Sequence, residues 1–502
     1  MQGRQLVLAV NDRDAAYPVT IDPIITSQEA KLTAGDGAQG DQFGWSVSLS
    51  GDGNTALVGA RLDDTTAGMN AGSAYVFVRN GNAWSQQAKL TADDGATNDA
   101  FGTSISVSRD GNTALVGAHM HDTTMGTDAG SAYVFVRNGN AWSQQAKLTA
   151  SDGAHLAFFG WSVSVSGDGN TVMVGADQSD RSPTKQDTGS AYVFVRSGSA
   201  WSQQAQLTAS DGEMDDHFGY SVSLSGDGTT ALVGAHWGRA TPGLSAGSAY
   251  VFERSGSGWS QQAKLTASDG AQGDQFGDSV SLSGNGNTAL VGADRDATTM
   301  GTAAGSAYVF VRNGNAWSQQ AHLTASDGAA LHQFGYSVSA SRDGNTALVG
   351  RAGGGAYVFV RNGDAWSQQA RLTASDSAAV GSFGCSVSVS EDASAALVGA
   401  CRDGLPVGIQ LGSAYVVRFP ELVQDYNRQT AALLAGGAVR LTYLGLPGTN
   451  YVLDRTFDLT PIVIWTPQAT NAADSGGSVV FTNAPRPTNN YWRVRASTSS
   501  SK

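Results

Sequence analysis

The chain has 502 residues, a formal net charge of -13, 64 glycines and two cysteines, and no apolar run long enough to cross a bilayer. This acidity excludes partners that require a basic surface, namely the phosphate backbone of nucleic acids and anionic membranes. The length exceeds that of one hydrophobic core and predicts a repeat array with small flanking modules, and two cysteines are too few for a disulfide scaffold.

The N-terminal segment predicts a β-hairpin over residues 5–22, in which LVLAV and YPVTID flank the turn NDRDA. Two strands alone are marginally stable, so we expect residues 1–25 to be the remnant of an upstream domain or a clasp on the rest of the protein. A signal peptide is not visible in this sequence.

A repeating unit dominates the middle of the chain, and its first copy runs from Phe43 to Trp84. Its opening Phe-Gly pair returns at intervals of 58 or 59 residues, and of 49 for the last copy, at Phe101, Phe159, Phe218, Phe276, Phe334 and Phe383. A repeat of short strands cannot bury its own faces, so the seven copies must pack against one another.

Each repeat predicts four strands, which in the first copy are Gly44–Ser50, Thr55–Ala60, Ser73–Arg79 and Trp84–Thr91. The first strand alternates small and apolar residues, as expected near a crowded axis, and the second is continuously apolar, as expected of a strand buried on both faces. In the fourth strand, simple alternation places Trp84, Ala88 and Leu90 on one face.

The seventh repeat lacks a Trp-led fourth strand, whereas residues 26–42 match the end of the other repeats. We therefore expect Gln28–Thr33 to supply the outer strand of the last blade. This pairing closes the ring and leaves no open sheet edge.

The combination of Phe-Gly, a Gly-Asp-Gly turn and Val-Gly-Ala resembles the FG-GAP repeat of integrin α subunits and many secreted bacterial proteins. The resemblance covers residues 26–419 and implies an all-β, seven-bladed β-propeller that is secreted and serves extracellular adhesion or ligand binding without catalysis. Many family members carry a calcium loop between the first two strands; here that loop is shortened to Ser-Gly-Asp-Gly-Asn-Thr.

Residues 423–498 depart from the period and predict about five strands, enough for a small β-sandwich domain. The segment resembles the immunoglobulin-like and fibronectin-like modules that are appended to secreted bacterial proteins.

The sequence predicts no resident cofactor or metal and leaves weak calcium binding open. Each Gly-Asp-Gly turn offers one carboxylate and one amide, as in Asp52 with Asn54, whereas calcium takes six to eight oxygens. The acidic loops before each Phe-Gly pair match a weak cation site or an ordinary solvated loop. His119 and His121, two residues apart, match a metal pair or a polar loop.

Ligand-binding residues are expected where the repeats differ, because the shared positions are fixed by the blade. Two positions vary most, one after Phe-Gly and one after Val-Gly-Ala, and strand direction places both at one end of the ring. The candidate ligand-binding residues are Trp45, Trp161, Tyr220, Tyr336, Arg61, His119, His236, Asp294 and Arg351. The alternative is that these side chains only fill the channel mouth.

Two further features concern the last blades. The sixth repeat lacks about nine residues between its second and third strands, which predicts a notch floored by Gly353, Gly354 and Gly355 and overlooked by Tyr336, or a merely tolerated loop deletion. Cys385 and Cys401 lie at the far ends of a hairpin, opposite each other or one residue out of register, so a disulfide is compatible with the spacing.

The function that these features favour is extracellular recognition of a protein or glycan ligand, or cell adhesion, by a monomer without catalysis. The motifs of a serine hydrolase elbow, a phosphate-binding loop and a zinc protease helix are absent from the sequence. Two alternatives remain: a structural spacer in a larger surface protein, with a flat end, or an enzyme with an acid pair around a deep pocket at the propeller mouth.

Overall fold

The computed structural model describes residues 19–21, 27–180, 186–241, 244–352, 354–376, 382–402 and 411–419, and six strands beyond residue 427. The chain divides into two compact units, Thr26–Arg418 and the remainder. The described part contains no helix that is long and apolar enough to cross a membrane.

The unit Thr26–Arg418 is an all-β, seven-bladed β-propeller, as predicted. Each blade is a four-stranded antiparallel sheet, and blades 1 to 7 are numbered here by their innermost strands. The innermost strands are Phe43–Leu49, Ile105–Val107, Ser162–Val165, Phe218–Leu224, Val280–Leu282, Phe334–Ala340 and Phe383–Val389. The second strands are Thr55–Ala60, Thr113–Ala118, Thr171–Ala176, Thr230–Ala235, Thr288–Ala293, Thr346–Arg351 and Ala395–Ala400.

The outer half of each of blades 1 to 6 is a hairpin with a tight turn. The third strands are Ser73–Asn80, Ser131–Asn138, Ser190–Ser197, Ser248–Ser255, Ser306–Asn313, Gly355–Asn362 and Ser413–Arg418. The outer strands of blades 1 to 6 are Ala83–Leu90, Ala141–Leu148, Ala200–Leu207, Gly258–Leu265, Ala316–Leu323 and Ala365–Leu372.

The outer strand of blade 7 is Ser27–Leu32, from the beginning of the chain. It pairs antiparallel with Ser413–Arg418, with Leu32 opposite Ala414. The predicted ring closure is therefore confirmed, one residue earlier than the expected bounds Gln28–Thr33.

The Phe-Gly motif is explained by the contacts between blades. Phe43 is buried in a cluster that combines residues of blades 7 and 1, including Leu397 and Tyr75. Gly44 has φ 86°, and a Cβ on it would lie 2.3 Å from the carbonyl oxygen of Ser413. Only glycine allows the backbones of two blades to approach this closely.

The outer strands do not follow simple alternation. In blade 1 the register shifts between Gln86 and Ala88, so one extra residue is inserted as a β-bulge. As a result, Trp84 packs against the cluster between blades 7 and 1, whereas Ala88 and Leu90 belong to the cluster between blades 1 and 2. The prediction that these three residues share one face is wrong, because the bulge reverses the alternation.

The end of the channel at the turns between first and second strands, called the base here, is narrow. Backbone N–H groups donate to carbonyl oxygens of the next blade in a closed circle: Gly51 to Arg109, Arg109 to Gly167, Gly167 to Gly226, Gly226 to Gly284, Asn285 to Arg342, Arg342 to Glu391, and Glu391 to Gly51. Glu391 also pairs with Arg109 at 2.6 Å and with Arg342 at 3.0 Å. The cavity left at the base measures about 110 Å³.

The opposite end, called the mouth here, is formed by the loops between second and third strands and the loops between blades. An aspartate holds each interblade loop, as Asp36 does by accepting hydrogen bonds from the Tyr75 hydroxyl at 2.9 Å and from Lys89 at 2.6 Å. Equivalent tyrosine–aspartate pairs are Tyr133–Asp94, Tyr250–Asp211, Tyr308–Asp269, Tyr357–Asp327 and Tyr415–Asp376. The mouth loops are thus fixed to the blades by buried tyrosines.

The second unit contains two sheets. One has four strands, in the order Val19–Ile21, Arg428–Leu433, Val439–Leu444 and Ser478–Asn483. The other has three, in the order Thr466–Ala472, Asn450–Thr456 and Tyr491–Ala496. The β-sandwich stays a prediction. The predicted hairpin at 5–22 lies mostly outside the described residues; its described part, Val19–Ile21, pairs with Arg428–Leu433.

Candidate functional site

The two variable positions of the repeat meet at the mouth, as the strand directions predicted. The residues after Phe-Gly lie beside those after Val-Gly-Ala because the first and second strands run antiparallel. The guanidinium of Arg61 lies 3.3 Å from the centre of the Trp45 ring and donates to Gln42 Oε1 at 2.8 Å. This stack forms the wall of the mouth in blade 1.

A continuous arc of rings follows through blades 2, 3 and 4. His119 contacts Trp161 edge-on with ring centres 4.9 Å apart, Trp161 lies 5.5 Å from Tyr220, and Tyr220 lies 3.9 Å from His236. Four of the predicted ligand residues therefore form one contiguous surface.

The two histidines of the arc are neutral and incompletely hydrogen-bonded. Burial lowers the pKa of both His119 and His236 to about 3. His119 is 1% exposed, yet neither of its ring nitrogens has a hydrogen-bond partner, and His236 Nδ1 also has none. Buried polar atoms usually have partners, and a bound ligand is one explanation when they do not.

Asp177 and His217 form an acid–base pair at the mouth. His217 Nδ1 lies 3.3 Å from Asp177 Oδ2, and the other carboxylate oxygen, Oδ1, is buried without a partner. Burial raises the pKa of Asp177. Burial acts to lower the pKa of His217, but the neighbouring Asp177 outweighs it, so the net shift is upward.

Asp278 and Asp294 form an acidic sector in blade 5. Burial and the charge of Asp294 raise the pKa of Asp278 well above its usual value. Burial raises the pKa of Asp294 to about 6, although Gln333 donates to its Oδ2 at 2.9 Å. Asp294 Oδ1 is buried without a partner. Burial and the repulsion between the two carboxyl groups therefore favour the protonated form of Asp278.

Blades 6 and 7 continue the wall of the mouth beyond the acidic sector. Tyr336 is half-buried, and the nearby Asp278 and the thiols of Cys385 and Cys401 contribute, after burial, to the upward shift of its pKa. The backbone N–H of Cys401 donates to Cys385 Sγ at 3.2 Å, and both thiols are free. The predicted proximity of the cysteines is confirmed.

Arg351 is the one predicted ligand residue that does not join this ring. It ends the second strand of blade 6, at the position of Ala60, and its side chain is directed toward Gly354 O at 3.1 Å, His332 and Asp327. The loop deletion removes the residue equivalent to Asp63, and Arg351 occupies the space. The predicted notch is thus partly filled; Gly353 lies outside the described residues.

The two histidines that were considered as a metal pair, His119 and His121, point to different places. His119 packs in the mouth, whereas His121 binds Asp99 through Nδ1 at 2.8 Å and Lys147 through Nε2 at 2.7 Å. The carboxylate of Asp52 accepts hydrogen bonds from Ser50 and Asn54, so it shapes its own turn. Over the described residues, no group of three or more His, Cys, Asp or Glu is arranged to hold a metal ion.

Sequence reasoning missed a third variable position, the residue before Phe-Gly. Its members Gln42, Phe158, His217 and Gln333 contact Arg61, His119, Asp177 and Asp294 respectively. The variability of this position was visible in the sequence. The direction of its side chain was not predictable from the sequence, because the backbone at this position has a positive φ, for example 53° at Phe158.

A cavity of about 790 Å³ lies at the outer part of the mouth, between the interblade loop before blade 2 and the loop at residues 120–128, and the unpaired atoms do not line it. His121, Asp99, Asp94 and Lys147 line it, and their polar atoms bind one another. The inner part of the mouth, with its unpaired buried groups, is therefore the better candidate site.

A family model described as FG-GAP repeat matches seven segments of the chain. The segments are residues 26–77, 84–135, 142–194, 201–252, 259–310, 317–360 and 366–417. The first segment, 26–77, contains the strand Ser27–Leu32 that closes the ring. A comparison with curated proteins gives no match.

Proposed function

Because the chain belongs to the FG-GAP repeat family, we propose that it is a non-catalytic recognition or adhesion protein that binds an extracellular ligand at the propeller mouth. The proposed partner is a protein or glycan outside the cell or at its surface, and the proposed form is a monomer. The family match and the propeller support a binding role.

One observation carries the proposal: five buried polar atoms without partners lie at the mouth. They are both ring nitrogens of His119, Nδ1 of His236, Oδ1 of Asp177 and Oδ1 of Asp294. An unsatisfied buried donor or acceptor costs about 1–3 kcal/mol. A ligand whose entry shifts these buried side chains enough to hydrogen-bond with them recovers that free energy, and the neighbouring rings of Trp161 and Tyr220 supply contact area.

The features of the mouth weigh against the spacer. A spacer needs no unpaired buried groups, whereas His119, His236, Asp177 and Asp294 each leave at least one buried polar atom at the mouth without a partner. These atoms favour the mouth as a working surface.

The buried carboxyl groups of Asp278 and Asp294, both with a raised pKa, favour a second candidate, an acid–base hydrolase. Two carboxyl groups whose environments give them different pKa values can supply a general acid and a general base. We rank it second because sequence reasoning found no accompanying catalytic motif. Hydrolysis of glycoside or peptide substrates that is abolished by Asp294→Asn would establish this candidate.

The test of the proposed function is an array of glycans and extracellular proteins probed with the purified chain and with Trp161→Ala and Tyr220→Ala. We expect a ligand that the wild type retains and both variants lose. Met300→Ala, an exposed substitution on the same end of blade 5, serves as the matched control. Absence of any ligand, or equal binding by all variants, would contradict the proposal.

A further inference from the structure

A second recess lies in the loops of blade 4, next to the mouth. It has a volume of about 330 Å³, which is within the range of small-ligand sites. Its lining residues are Met214, Asp215, His217, Trp237, Arg239 and Ser245. His217 belongs to both spaces, so the recess continues the mouth outward.

Trp237 gives the recess an exposed aromatic face. It is 40% exposed, and its ring centre lies 5.8 Å from that of His236, which in turn contacts Tyr220. The residues at this position in the other blades that keep the loop are Leu62, Met120, Gln178, Arg295 and Arg402. The exposed indole is thus peculiar to blade 4 and is not required by the blade.

Two charged side chains of the recess, Arg239 and Asp215, have no side-chain partner among the described residues. In blade 1 the corresponding loop is held by Asp64, which accepts a hydrogen bond from the Asn70 backbone at 2.8 Å. Arg239 replaces that aspartate in blade 4 and cannot accept such a bond. Among the described residues, the guanidinium of Arg239 and the carboxylate of Asp215 have no hydrogen bond or ion pair within the protein.

We propose that this recess binds one sugar residue of an uncharged glycan, with the pyranose ring stacked on Trp237 and its hydroxyls bound by Arg239, Asp215 and Ser245. A pyranose presents C–H groups on its face and hydroxyls at its edge, which fits one exposed indole with donors and acceptors around it. A peptide side chain instead needs an enclosed pocket, and this recess is open. The net charge of -13 disfavours carboxylated sugars.

This inference rests on the proposed function, because it names the ligand class of the same end of the propeller. The mouth then receives the continuation of the glycan, beside the rings of Trp161 and Tyr220. The His236 ring, between Tyr220 and Trp237, connects the two parts of the site.

The experiment uses the full chain on an array of neutral and sialylated oligosaccharides, followed by calorimetric titration of the best neutral oligosaccharide. Trp237→Ala is expected to weaken binding on the order of 30-fold, as for a contact that dominates an interface, and Trp237→Phe to retain part of the affinity. Met120→Ala, at the equivalent exposed position of blade 2, is the matched control and is expected to bind as the wild type. Unchanged melting temperatures verify the fold of each variant.

The outcomes separate the two proposals. If Trp161→Ala loses the array ligand and Trp237→Ala does not, or if the ligands are exclusively proteins, the sugar recess is overturned while the recognition function stands. If wild type binds no ligand of any class, both are overturned. Binding of a neutral glycan that depends on Trp237 supports the recess.

Discussion

The carboxylate of Glu29 bridges two arginines, Arg418 at 2.7 Å and Arg79 at 2.6 Å. Arg418 belongs to blade 7 and Arg79 to blade 1, so these two contacts join the last blade of the ring to the first. Glutamine occupies the position of Glu29 in the other six repeats, at Gln87, Gln145, Gln204, Gln262, Gln320 and Gln369. The charge is thus specific to the closing strand.

We predict that Glu29→Gln destabilises the propeller, although it restores the repeat consensus. The substitution leaves two partly buried guanidinium groups without their counter-charge, and we expect a loss of about 2 kcal/mol, between the values for exposed and buried pairs. Chemical denaturation measures the loss. Gln262→Ala, at the equivalent position of blade 4, is expected to change the free energy of unfolding little. An equal loss in both variants would contradict a specific stabilising role of the Glu29 charge.

The contacts of Glu29 with Arg418 and Arg79 also predict that the stability of the fold depends on pH. Burial acts to raise the pKa of Glu29, but hydrogen bonds from Arg418 and Arg79 outweigh it and lower the pKa below the ordinary 4.5. A lowered carboxyl pKa stabilises the fold above the unfolded value, and this contribution is lost as pH falls through the folded value. The stability difference between wild type and Glu29→Gln should therefore shrink progressively below pH 4.5. A difference that is constant down to acid unfolding would contradict this.

Ring closure predicts that deletion of residues 1–34 is disruptive. The deletion removes Ser27–Leu32 and exposes the edge of Ser413–Arg418, which is then free to pair with other molecules. We expect aggregation or a lower melting temperature by scattering and calorimetry. Deletion of residues 1–25 alone is the matched control, because it keeps the closing strand. A monomeric 35–502 protein that melts as the full chain does would contradict closure.

Cys385 and Cys401 are predicted to form a disulfide in an oxidising environment. Cys385 lies in a bulge of the first strand of blade 7 and Cys401 follows the end of the second, and the Cys401 backbone nitrogen lies 3.2 Å from Cys385 Sγ, so the arrangement is compatible with a bond. Exposure to oxidised glutathione transfers the two thiol hydrogens and two electrons to the reagent. Mass spectrometry after alkylation without reduction measures the bond, and two alkylated thiols under these conditions would refute it.

His119 and His236 are predicted to remain neutral well below the ordinary histidine pKa of 6.5, titrating near pH 3 because of burial. Since the unfolded chain binds protons at higher pH, these residues reduce stability as pH falls below 6.5. Nuclear magnetic resonance titration of the ring signals measures both values. Titration of His119 at the ordinary histidine pKa of 6.5 would contradict its burial in the mouth.

Much of the fold followed from the sequence because the repeat is strict. The missing Trp strand after Arg418 and the matching strand at Ser27–Leu32 were enough to predict closure. The orientation of Trp84 against Leu90 was not predictable by alternation, because the bulge after Gln86 is a register feature of paired strands. The unit beyond residue 419 has no repeat, so its sequence predicted strands without their order.

The mouth was predictable in position and less so in detail. Variable residues after Phe-Gly and Val-Gly-Ala were expected at one end of the channel, and eight of the nine predicted residues lie at the mouth. Arg351 was predicted to face the mouth. The loop deletion in blade 6 instead leaves space that the residue equivalent to Asp63 fills in blade 1, and the Arg351 side chain occupies it. Trp237 was overlooked because its neighbour His236 was taken as the variable position. In addition, blade 4 has Arg239 at the position where blade 1 has the loop-holding Asp64, and the effect of this difference on the loop beside Trp237 is visible only in the structure.

The central claim is that ligand enters the mouth, and ring-signal perturbation in nuclear magnetic resonance tests it most directly. The first ligand identified on the array is titrated into the protein while the signals of His119, His236, His155 and His322 are followed. We predict large shifts for His119 and His236, whose unpaired nitrogens meet the ligand, and none for His155 and His322. Saturation of the ligand with unchanged His119 and His236 signals would contradict the account.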